Sequence, residues 1–277
     1  MQKLTDSQQP EILELLGKCF PDYWEQLALK QGKMPFFEIS FAEFDHGRVI
    51  GHCGIIPYEV WCGSRYHPMA GIASVAVDPD FRRRGIAGRL CNFAADWAKE
   101  NGFVSLPLYT AHFRVYESCS WHKLDVPAAR YFPEAGKSGA IRRMGRELSS
   151  AEKNSIIQLY ENSPQFNGKV KRQDSGTLHS WERIFNEPEF TFLLSPAGYA
   201  IEANRVIVEA NFLPGTSDRV IRDFLGDSPF YLPEMLPEAE PFTHRDAMHG
   251  ERPMVRDLTE PEFHRINRIF FPVTDKF

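Results

Sequence analysis

Three consecutive arginines stand directly before a glycine in the stretch SVAVDPDFRRRGIAGRLCNF, which starts at Ser74. Val75–Val77 is typical of a strand, and the residues after Gly85 repeat apolar side chains at helical spacing. The arginines therefore fall in a strand-to-helix loop, where glycines allow the backbone to approach a ligand closely. The first N–H groups of a helix lack intrahelical partners and carry partial positive charge, so the loop predicts an anion-binding site.

The kind of anion is narrowed by the spacing of the glycines. A nucleoside-triphosphate loop needs G-x-x-x-x-G-K-[ST], and this loop has neither the lysine nor the hydroxyl. A dinucleotide fingerprint needs G-x-G-x-x-G, whereas only Gly85 and Gly88 are present here. The pattern that remains is R-x-x-G-x-A, from Arg82 to Ala87. A solvated basic turn that starts an ordinary helix is the structural alternative.

This pattern resembles the coenzyme A pyrophosphate loop of the GNAT superfamily of N-acetyltransferases. The resemblance implies a fold in which two neighbouring strands splay apart and the pantetheine arm lies between them. It implies acetyl-CoA as cosubstrate, with no metal. The coenzyme-binding residues that it implies are Val75, Ala76, Val77, Arg82, Arg83, Arg84, Gly85, Ile86, Ala87, Gly88, Ala111 and His112.

Tyr116 is the catalytic residue that the resemblance implies. Acyl transfer from a thioester to an amine requires a proton for the leaving thiolate, and a tyrosine hydroxyl can supply it. In GNAT enzymes this tyrosine lies in a pattern like FYExxGF, which HFRVYESCSW matches with Trp121 as the last aromatic residue. The usual glycine is replaced by Ser120, and Tyr109 stands where an asparagine is often found. A core tyrosine on an amphipathic turn is the alternative interpretation.

A wider resemblance points to the enhanced-intracellular-survival branch of this superfamily. It covers the stretch from Glu59 to Gly88 and the stretch from Ser105 to Asp125, and more loosely GYAIEANRVIVEANFL and MVRDL. That branch adds a degenerate acetyltransferase domain and a sterol-carrier-like domain whose terminal carboxylate acts as base. This chain is expected to lack the third domain. The Phe277 carboxylate, Glu59 acting through water, and solvent alone are therefore the open choices for the base.

The elements around these motifs predict an α+β (α/β) protein. The first half is predicted to hold a GNAT domain with a mixed, splayed central sheet at 1–135, followed by a basic, glycine-rich linker at 136–149. The second half, at 150–277, is predicted to be a degenerate GNAT-like domain because its order of elements loosely repeats the first without an arginine–glycine loop. The elements predicted there are two helices in SSAEKNSIIQLYE and HSWERIFNEP, a strand in EFTFLLS, a hairpin in GYAIEANRVIVEANFL, a helix at Asp218–Leu225 and a capping box at Thr259–Glu262.

Composition and charge limit the other functions and cellular locations that the sequence allows. A net charge of −5 argues against nucleic acid as a general partner, and no apolar run is long enough for a membrane span. The five cysteines lack C-x-x-C spacing, which argues against disulfides or zinc and favours a reducing cytoplasm. Lone histidines such as His52 and His67 are interpreted as structural.

The sequence therefore predicts an acetyl-CoA-dependent N-acetyltransferase that acts directly on a primary amine, in a small molecule or a protein lysine. A transferase of longer acyl groups and a non-catalytic coenzyme A-binding protein are the alternatives. Whether the chain forms a homo-oligomer is left open.

Overall fold

The computed structural model describes residues 2–3, 9–20, 39–124, 143–145, 147–165, 167–173, 179–226, 228, 230 and 252–259. The predicted capping box beyond Thr259, and Phe277, lie outside these residues. None of the helices within these ranges has the length and apolarity of a membrane span.

The described strands form two sheets. The strands are β1 Gln2–Lys3, β2 Ile39–Asp45, β3 Arg48–Cys62, β4 Arg65–Val77, β5 Ser105–Thr110, β6 His122–Lys123, β7 Arg143–Gly145, β8 Phe190–Ser195, β9 Gly198–Ala203, β10 Val206–Phe212 and β11 Arg252–Asp257. The first sheet has the order β1-β2-β3-β4-β5-β11-β6, and the second has the order β10-β9-β8-β7.

The described helices pack on these sheets. They are α1 Gln9–Cys19, α2 Ile86–Glu100, α3 Phe113–Glu117, α4 Ser150–Asn162, α5 Trp181–Asn186 and α6 Asp218–Leu225. The helix α2 buries a stripe formed by Ile86, Leu90, Cys91, Ala94, Ala95 and Ala98. This stripe recurs every three to four residues, so one face of the helix covers the first sheet and contributes to its core. The helix that follows the arginine loop is thereby fixed.

The first sheet opens between β4 and β5. The two strands are parallel and share one register pair in the described structure, Met69 with Ser105. An additional bond from the Val104 N–H to the Pro68 carbonyl, 3.0 Å long, closes the same end. Beyond this point β4 continues toward the arginine loop and β5 continues toward α3. The opening confirms the mixed, splayed sheet of the GNAT fold.

Two strands lie outside the units that their sequence position predicts. The strand β11 comes from the C-terminal half, yet it lies between β5 and β6 and is antiparallel to both. The short strand β7, at 143–145, pairs with β8 in the second sheet. Sheet membership thus crosses the predicted boundaries, because strand pairing depends on which sheet edge is open and not on position along the chain. The division into 1–135, 136–149 and 150–277 stays a prediction.

The second sheet is antiparallel throughout and has a core of its own. The hairpin of β9 and β10 and the strand β8 confirm the elements expected in this part of the sequence. Residues 167–173 leave this unit and run beside the outer end of β3. The Trp61 N–H donates to the Lys169 carbonyl at 2.8 Å, and the Lys171 N–H donates to the Glu59 carbonyl at 2.9 Å. The two halves are thus joined by main-chain pairing.

Candidate functional site

The arginine loop begins at an anchored aspartate. Asp78 follows β4 and its side chain accepts a hydrogen bond from the Asp80 N–H at 3.1 Å, which caps a short 3₁₀ turn. Its own N–H donates to the Ile50 carbonyl at 2.9 Å. The carboxylate is almost fully buried, pairs with Arg48 and lies 3.9 Å from the Lys18 ammonium. These contacts fix the point at which the chain leaves the sheet.

The N-terminus of α2 has no capping side chain. Gly85 is the N-cap residue, has a left-handed φ of 73°, and offers no side chain to satisfy the first N–H groups of the helix. The N–H groups of Ile86, Ala87 and Gly88 lack intrahelical acceptors because of their position. Gly88 also has little room for a side chain, since a Cβ there would lie 3.2 Å from the Cys119 sulfur. The N-terminus of α2 therefore presents a cluster of uncapped backbone N–H donors at the place where the sequence predicts an anion site.

The three arginines have different roles. Arg82 donates from Nε to the Val77 carbonyl at 3.2 Å, and Arg84 donates from Nη2 to the Asp80 carbonyl at 3.3 Å. Both therefore hold the loop as well as adding charge to it. Arg83 is exposed, has a φ of 63°, and makes no hydrogen bond or ion pair with the described residues. Its guanidinium is the one of the three that stays available for a ligand in this part of the chain.

Arg89 stabilises the same loop and was not singled out in the sequence. Its Nη1 donates to the Arg84 carbonyl at 2.8 Å, and its Nη2 pairs with Glu43 on β2 at 2.5 Å. The hydrogen bond to Glu43 raises the pKa of Arg89. No local motif could have identified this residue, because its carboxylate partner lies 46 positions away.

A bulge interrupts β4 beside the opening. The register with β3 shifts between His52 and Gly54, so Ser74 and Val75 together oppose a single residue. Ser74 has a left-handed φ of 47°. The imidazole of His52 lies 2.9 Å from the Ser74 carbonyl through Nδ1 and 3.1 Å from the Ser40 hydroxyl through Nε2. Because a carbonyl only accepts, Nδ1 carries the proton.

His52 is therefore the anchor of the bulge. It is fully buried, and burial lowers its pKa to about 4. The structural role expected for this residue is confirmed, and the structure adds that this role is to tie three strands together where Val75 enters the predicted coenzyme site.

The turn that carries Tyr116 lies at the far side of the opening. After β5, the His112 N–H donates to the Thr110 hydroxyl at 2.8 Å, which starts α3. Ala111 and His112 are exposed, and Tyr116 is half-buried. The Tyr116 ring packs at 67° to the ring of Trp121, with centroids 6.2 Å apart. The aromatic contact with Trp121 fits both the acid role and the core alternative for Tyr116.

Ser120 occupies a glycine conformation. Its φ is 66°, and it lies where the resembled pattern has glycine. The departure from the pattern therefore changes the residue but not the backbone shape. The turn is closed by the N–H groups of Cys119 and Trp121, which donate to the Tyr116 carbonyl at 2.9 and 3.1 Å.

Glu59 lies away from this site. It pairs in register with Pro68, and Val75 follows Pro68 by seven residues, which is about 23 Å of extended strand. Its carboxylate forms an ion pair with Lys171 at 2.6 Å. This candidate base is therefore separated from the bulge and paired with a lysine of the second half, and its role as base stays a prediction.

The cysteines are free thiols in a buried setting. All five are unpaired, and four are buried. A hydrogen bond to Cys53, followed by burial, raises the pKa of Cys91 well above its usual value. This environment disfavours a thiolate nucleophile. The described residues contain no group of three or more metal-ligating side chains.

Comparison with known proteins gives the following relatives. Residues 2–121 match the model of the acetyltransferase (GNAT) family. A GCN5-related N-acetyltransferase from Kribbella flavida has 17% identity and a TM-score of 0.61, over 93% of this chain and 71% of that one. A GCN5-related N-acetyltransferase from Anabaena variabilis has 16% identity and a TM-score of 0.61, over 93% and 73%. Eis1 from Mycobacterium abscessus has 13% identity and a TM-score of 0.59, over 94% and 74%.

No curated protein is similar in sequence at a significant level. At these identities the solved structures show a shared fold, which extends over both halves of the chain.

Proposed function

We propose, from the match of residues 2–121 to the acetyltransferase (GNAT) family model, that this protein is an acetyl-CoA-dependent N-acetyltransferase. The observation that carries the proposal is the bare start of α2, where Gly85 leaves backbone N–H groups open beside the splayed strands. Such a start binds phosphate oxygens without any further side chain. The exposed Arg83 adds a full positive charge.

The coenzyme is proposed to run from this loop into the opening. Its pyrophosphate contacts the N–H groups from Gly85 to Gly88, with Arg82, Arg83 and Arg84 around it. Its pantetheine arm lies along Val75, Ala76 and Val77, on the edge of β4 that faces β5, where these three residues share no register pair with β5. Ala111 and His112, at the end of β5, flank the arm from the other side.

The reaction is proposed to be a direct transfer. A neutral primary amine attacks the thioester carbonyl, the carbon–sulfur bond breaks, and the Tyr116 hydroxyl gives its proton to the leaving thiolate. Residues 69–74 of β4 carry no titratable side chain. The amine proton is assigned to water, with Glu59 as the alternative acceptor.

The second unit is proposed to be a degenerate GNAT-like domain that walls the amine site and binds no coenzyme. The described part of that unit has no loop of arginines before a bare glycine helix start. We also propose a cytoplasmic location for the protein, supported by its five free cysteines. The amine is proposed to belong to a small molecule or a protein lysine.

The first test is an assay of the wild-type protein with acetyl-CoA and a panel of primary amines, followed by free-thiol release and product mass. Thiol release that depends on the amine supports the proposal. Coenzyme binding without release on any amine favours the non-catalytic binder. Faster release from a longer acyl-CoA moves the donor to that class.

The coenzyme site is tested by Gly85→Val, with Gly102→Val as the matched control. Both glycines have positive φ, 73° and 81°, and they lie at opposite ends of α2. Both variants therefore carry similar backbone strain, but only the first blocks the proposed phosphate site. We expect calorimetry to give one acetyl-CoA per chain for the wild type and for Gly102→Val, and at least about 100-fold weaker binding for Gly85→Val. Two coenzymes per chain, or equal affinity in both variants, would contradict the site.

A further inference from the structure

Arg256 reaches the candidate active site from the C-terminal half of the chain. The strand β11 places it in register with Leu106 on β5. The Ser105 hydroxyl donates to the Arg256 carbonyl at 3.3 Å, which adds a side-chain bond to this register. The side chain of Arg256 therefore starts from the inserted strand and extends beside the helix that follows the arginine loop.

The Arg256 guanidinium bridges α2 and the turn after Tyr116, which also contact each other through the Cys119 sulfur and Gly88. Its Nη1 donates to Asn92 Oδ1 on α2 at 2.7 Å and to the Cys119 carbonyl at 3.1 Å. Its central carbon lies 5.2 Å from the centroid of the Trp121 ring. Both acceptors are neutral, and no carboxylate of the described residues forms an ion pair with it. The contacts thus fix geometry and do not neutralise a charge.

The Cys119 carbonyl belongs to the turn that starts at Tyr116. The helix α3 has five residues, which is too short to be stable alone. The turn after it contains Ser120 at a φ of 66°, a conformation that costs about 1–2 kcal/mol for a residue other than glycine. Such a segment needs tertiary contacts to keep one geometry. Arg256 and Trp121 supply them, since the Trp121 indole also donates to the Leu106 carbonyl at 2.9 Å.

We infer that Arg256 is a positioning residue that holds the Tyr116 turn against the coenzyme helix. The inference rests on the proposed function, because the turn matters for catalysis only if Tyr116 is the acid. It means that the active site in the N-terminal part of the chain is completed by a side chain from the C-terminal half. Removal of the guanidinium leaves the coenzyme loop intact and lets the Tyr116 hydroxyl move away from the sulfur.

The test compares Arg256→Met in the full chain with Arg65→Met. Methionine keeps an apolar stem over Trp121 and removes both hydrogen bonds. Arg65 lies at the exposed start of β4, and its side chain makes no hydrogen bond or ion pair with the described residues, so its substitution removes the same charge from the same sheet. We expect single-turnover acetyl transfer to fall about 10- to 100-fold in Arg256→Met, the scale of a misplacement near 1 Å, and less than about twofold in Arg65→Met. The acetyl-CoA dissociation constant is expected to stay within about threefold in both.

The same change is then made in a Tyr116→Phe background. If Arg256 acts through the Tyr116 hydroxyl, Arg256→Met causes less than about a twofold further loss there, because the group that it positions is gone. Equal losses in both backgrounds, or no loss in the single variant, would overturn the inference. A purely structural role predicts equal losses together with weaker coenzyme binding.

Amide hydrogen exchange separates this inference from the proposed function. The Cys119 and Trp121 N–H groups, which close the turn on Tyr116, are expected to exchange at least about 10-fold faster in Arg256→Met, while the α2 amides stay unchanged. This measurement needs no turnover. If the wild-type protein transfers no acetyl group, the proposed function is wrong, but the exchange rates still test the contact between Arg256 and the turn. If the exchange rates of the turn are unchanged in Arg256→Met, the positioning role itself is wrong.

Discussion

The two sheets of this protein differ in how completely the main-chain polar groups of their strands and adjoining helices are paired. In the first sheet, β4 and β5 share one register pair and then separate, and α2 starts at a glycine with no capping side chain. In the second sheet, all neighbours are antiparallel and paired along their length, from β10 to β7. There α4 starts at Ser149, whose side chain and Glu152 form a reciprocal capping box. One helix start is closed by its own side chains, and the other is open to a ligand.

Charge follows the same division. Arg83 in the first unit is exposed and unpaired among the described residues. Arg172 in the second unit is fully buried and paired with Glu209, which also accepts from the Tyr199 hydroxyl. Burial, followed by the charge of Glu209, raises the pKa of Tyr199. Lys169 is buried beside this cluster, and desolvation lowers its pKa to about 8. In the second unit the buried polar groups pair with one another and stabilise the fold. In the first unit the N–H groups at the start of α2 and the Arg83 guanidinium lie beside the opening between β4 and β5, where a ligand can bind.

One tyrosine–tryptophan contact from each unit gives the sharpest test. Tyr116 packs on Trp121 at 6.2 Å, and Tyr160 packs on Trp181 at 5.1 Å. Tyr116→Phe is expected to lower single-turnover transfer about 10²- to 10⁴-fold with little change in acetyl-CoA affinity, because only the proton donor is lost.

Tyr160→Phe is the matched control. Its hydroxyl donates to the buried Val170 carbonyl, so we expect a loss of about 1–3 kcal/mol in the free energy of unfolding and normal turnover. Wild-type turnover in Tyr116→Phe would assign that residue to the core and erase the contrast between the units.

The buried pair of the second unit is expected to be structural only. Glu209→Gln leaves the Arg172 guanidinium buried without its counter-charge, which should lower the free energy of unfolding by roughly 3–5 kcal/mol. Chemical denaturation measures this loss. The double variant Arg172→Met with Glu209→Leu should cost less than Glu209→Gln alone. A folded Glu209→Gln protein with much weaker acetyl-CoA binding would place this cluster in a second coenzyme site.

The anchor of the β4 bulge makes the stability of the first unit depend on pH. His52 stays neutral in the folded protein down to a pKa of about 4, whereas in the unfolded chain it takes a proton near pH 6.5. Between these values the unfolded state binds more protons, so acidification favours unfolding. We expect about 3 kcal/mol of stability, present above pH 6.5, to be lost as the pH falls to 4, with a slope up to about 1.4 kcal/mol per pH unit.

Denaturant titrations across this pH range check the slope in the wild type and in His52→Gln. In His52→Gln, the slope of the free energy of unfolding against pH should be smaller by up to about 1.4 kcal/mol per pH unit, the contribution of one proton. An equal slope in both proteins would show that other groups cause the pH dependence.

The smallest expected effect is a gain in the free energy of unfolding. Ser120→Gly removes the cost of a left-handed conformation at φ 66°, while glycine adds entropy to the unfolded chain. We therefore expect stabilisation of at most about 1 kcal/mol, visible as a higher denaturant midpoint. Ser118→Gly is the control. Ser118 has a right-handed φ of −65°, so glycine at this position should lower the free energy of unfolding by about 0.5–1 kcal/mol. Loss of stability in Ser120→Gly would mean that the serine side chain makes a stabilising contact.

The local elements of this protein were determined by the sequence. The predicted helix at Asp218–Leu225 has those bounds in the structure, and the hairpin of β9 and β10 lies within the predicted stretch. The arginine loop falls between a strand and a helix as its spacing indicates. These features depend on side-chain periodicity, turn residues and glycine conformation, all of which act over a few neighbouring residues.

The tertiary structure alone decided which distant residues meet. The pairing of β11 with β5, the contacts of Arg256 with Asn92 and Cys119, and the bond of His52 to Ser74 join segments up to 164 positions apart. Nothing in the local pattern of MVRDL states which sheet it enters, because any strand offers the same main-chain donors and acceptors to any open edge. The choice is made by the gap between β5 and β6 and by the side chains that fit there, and these exist only once the chain has folded.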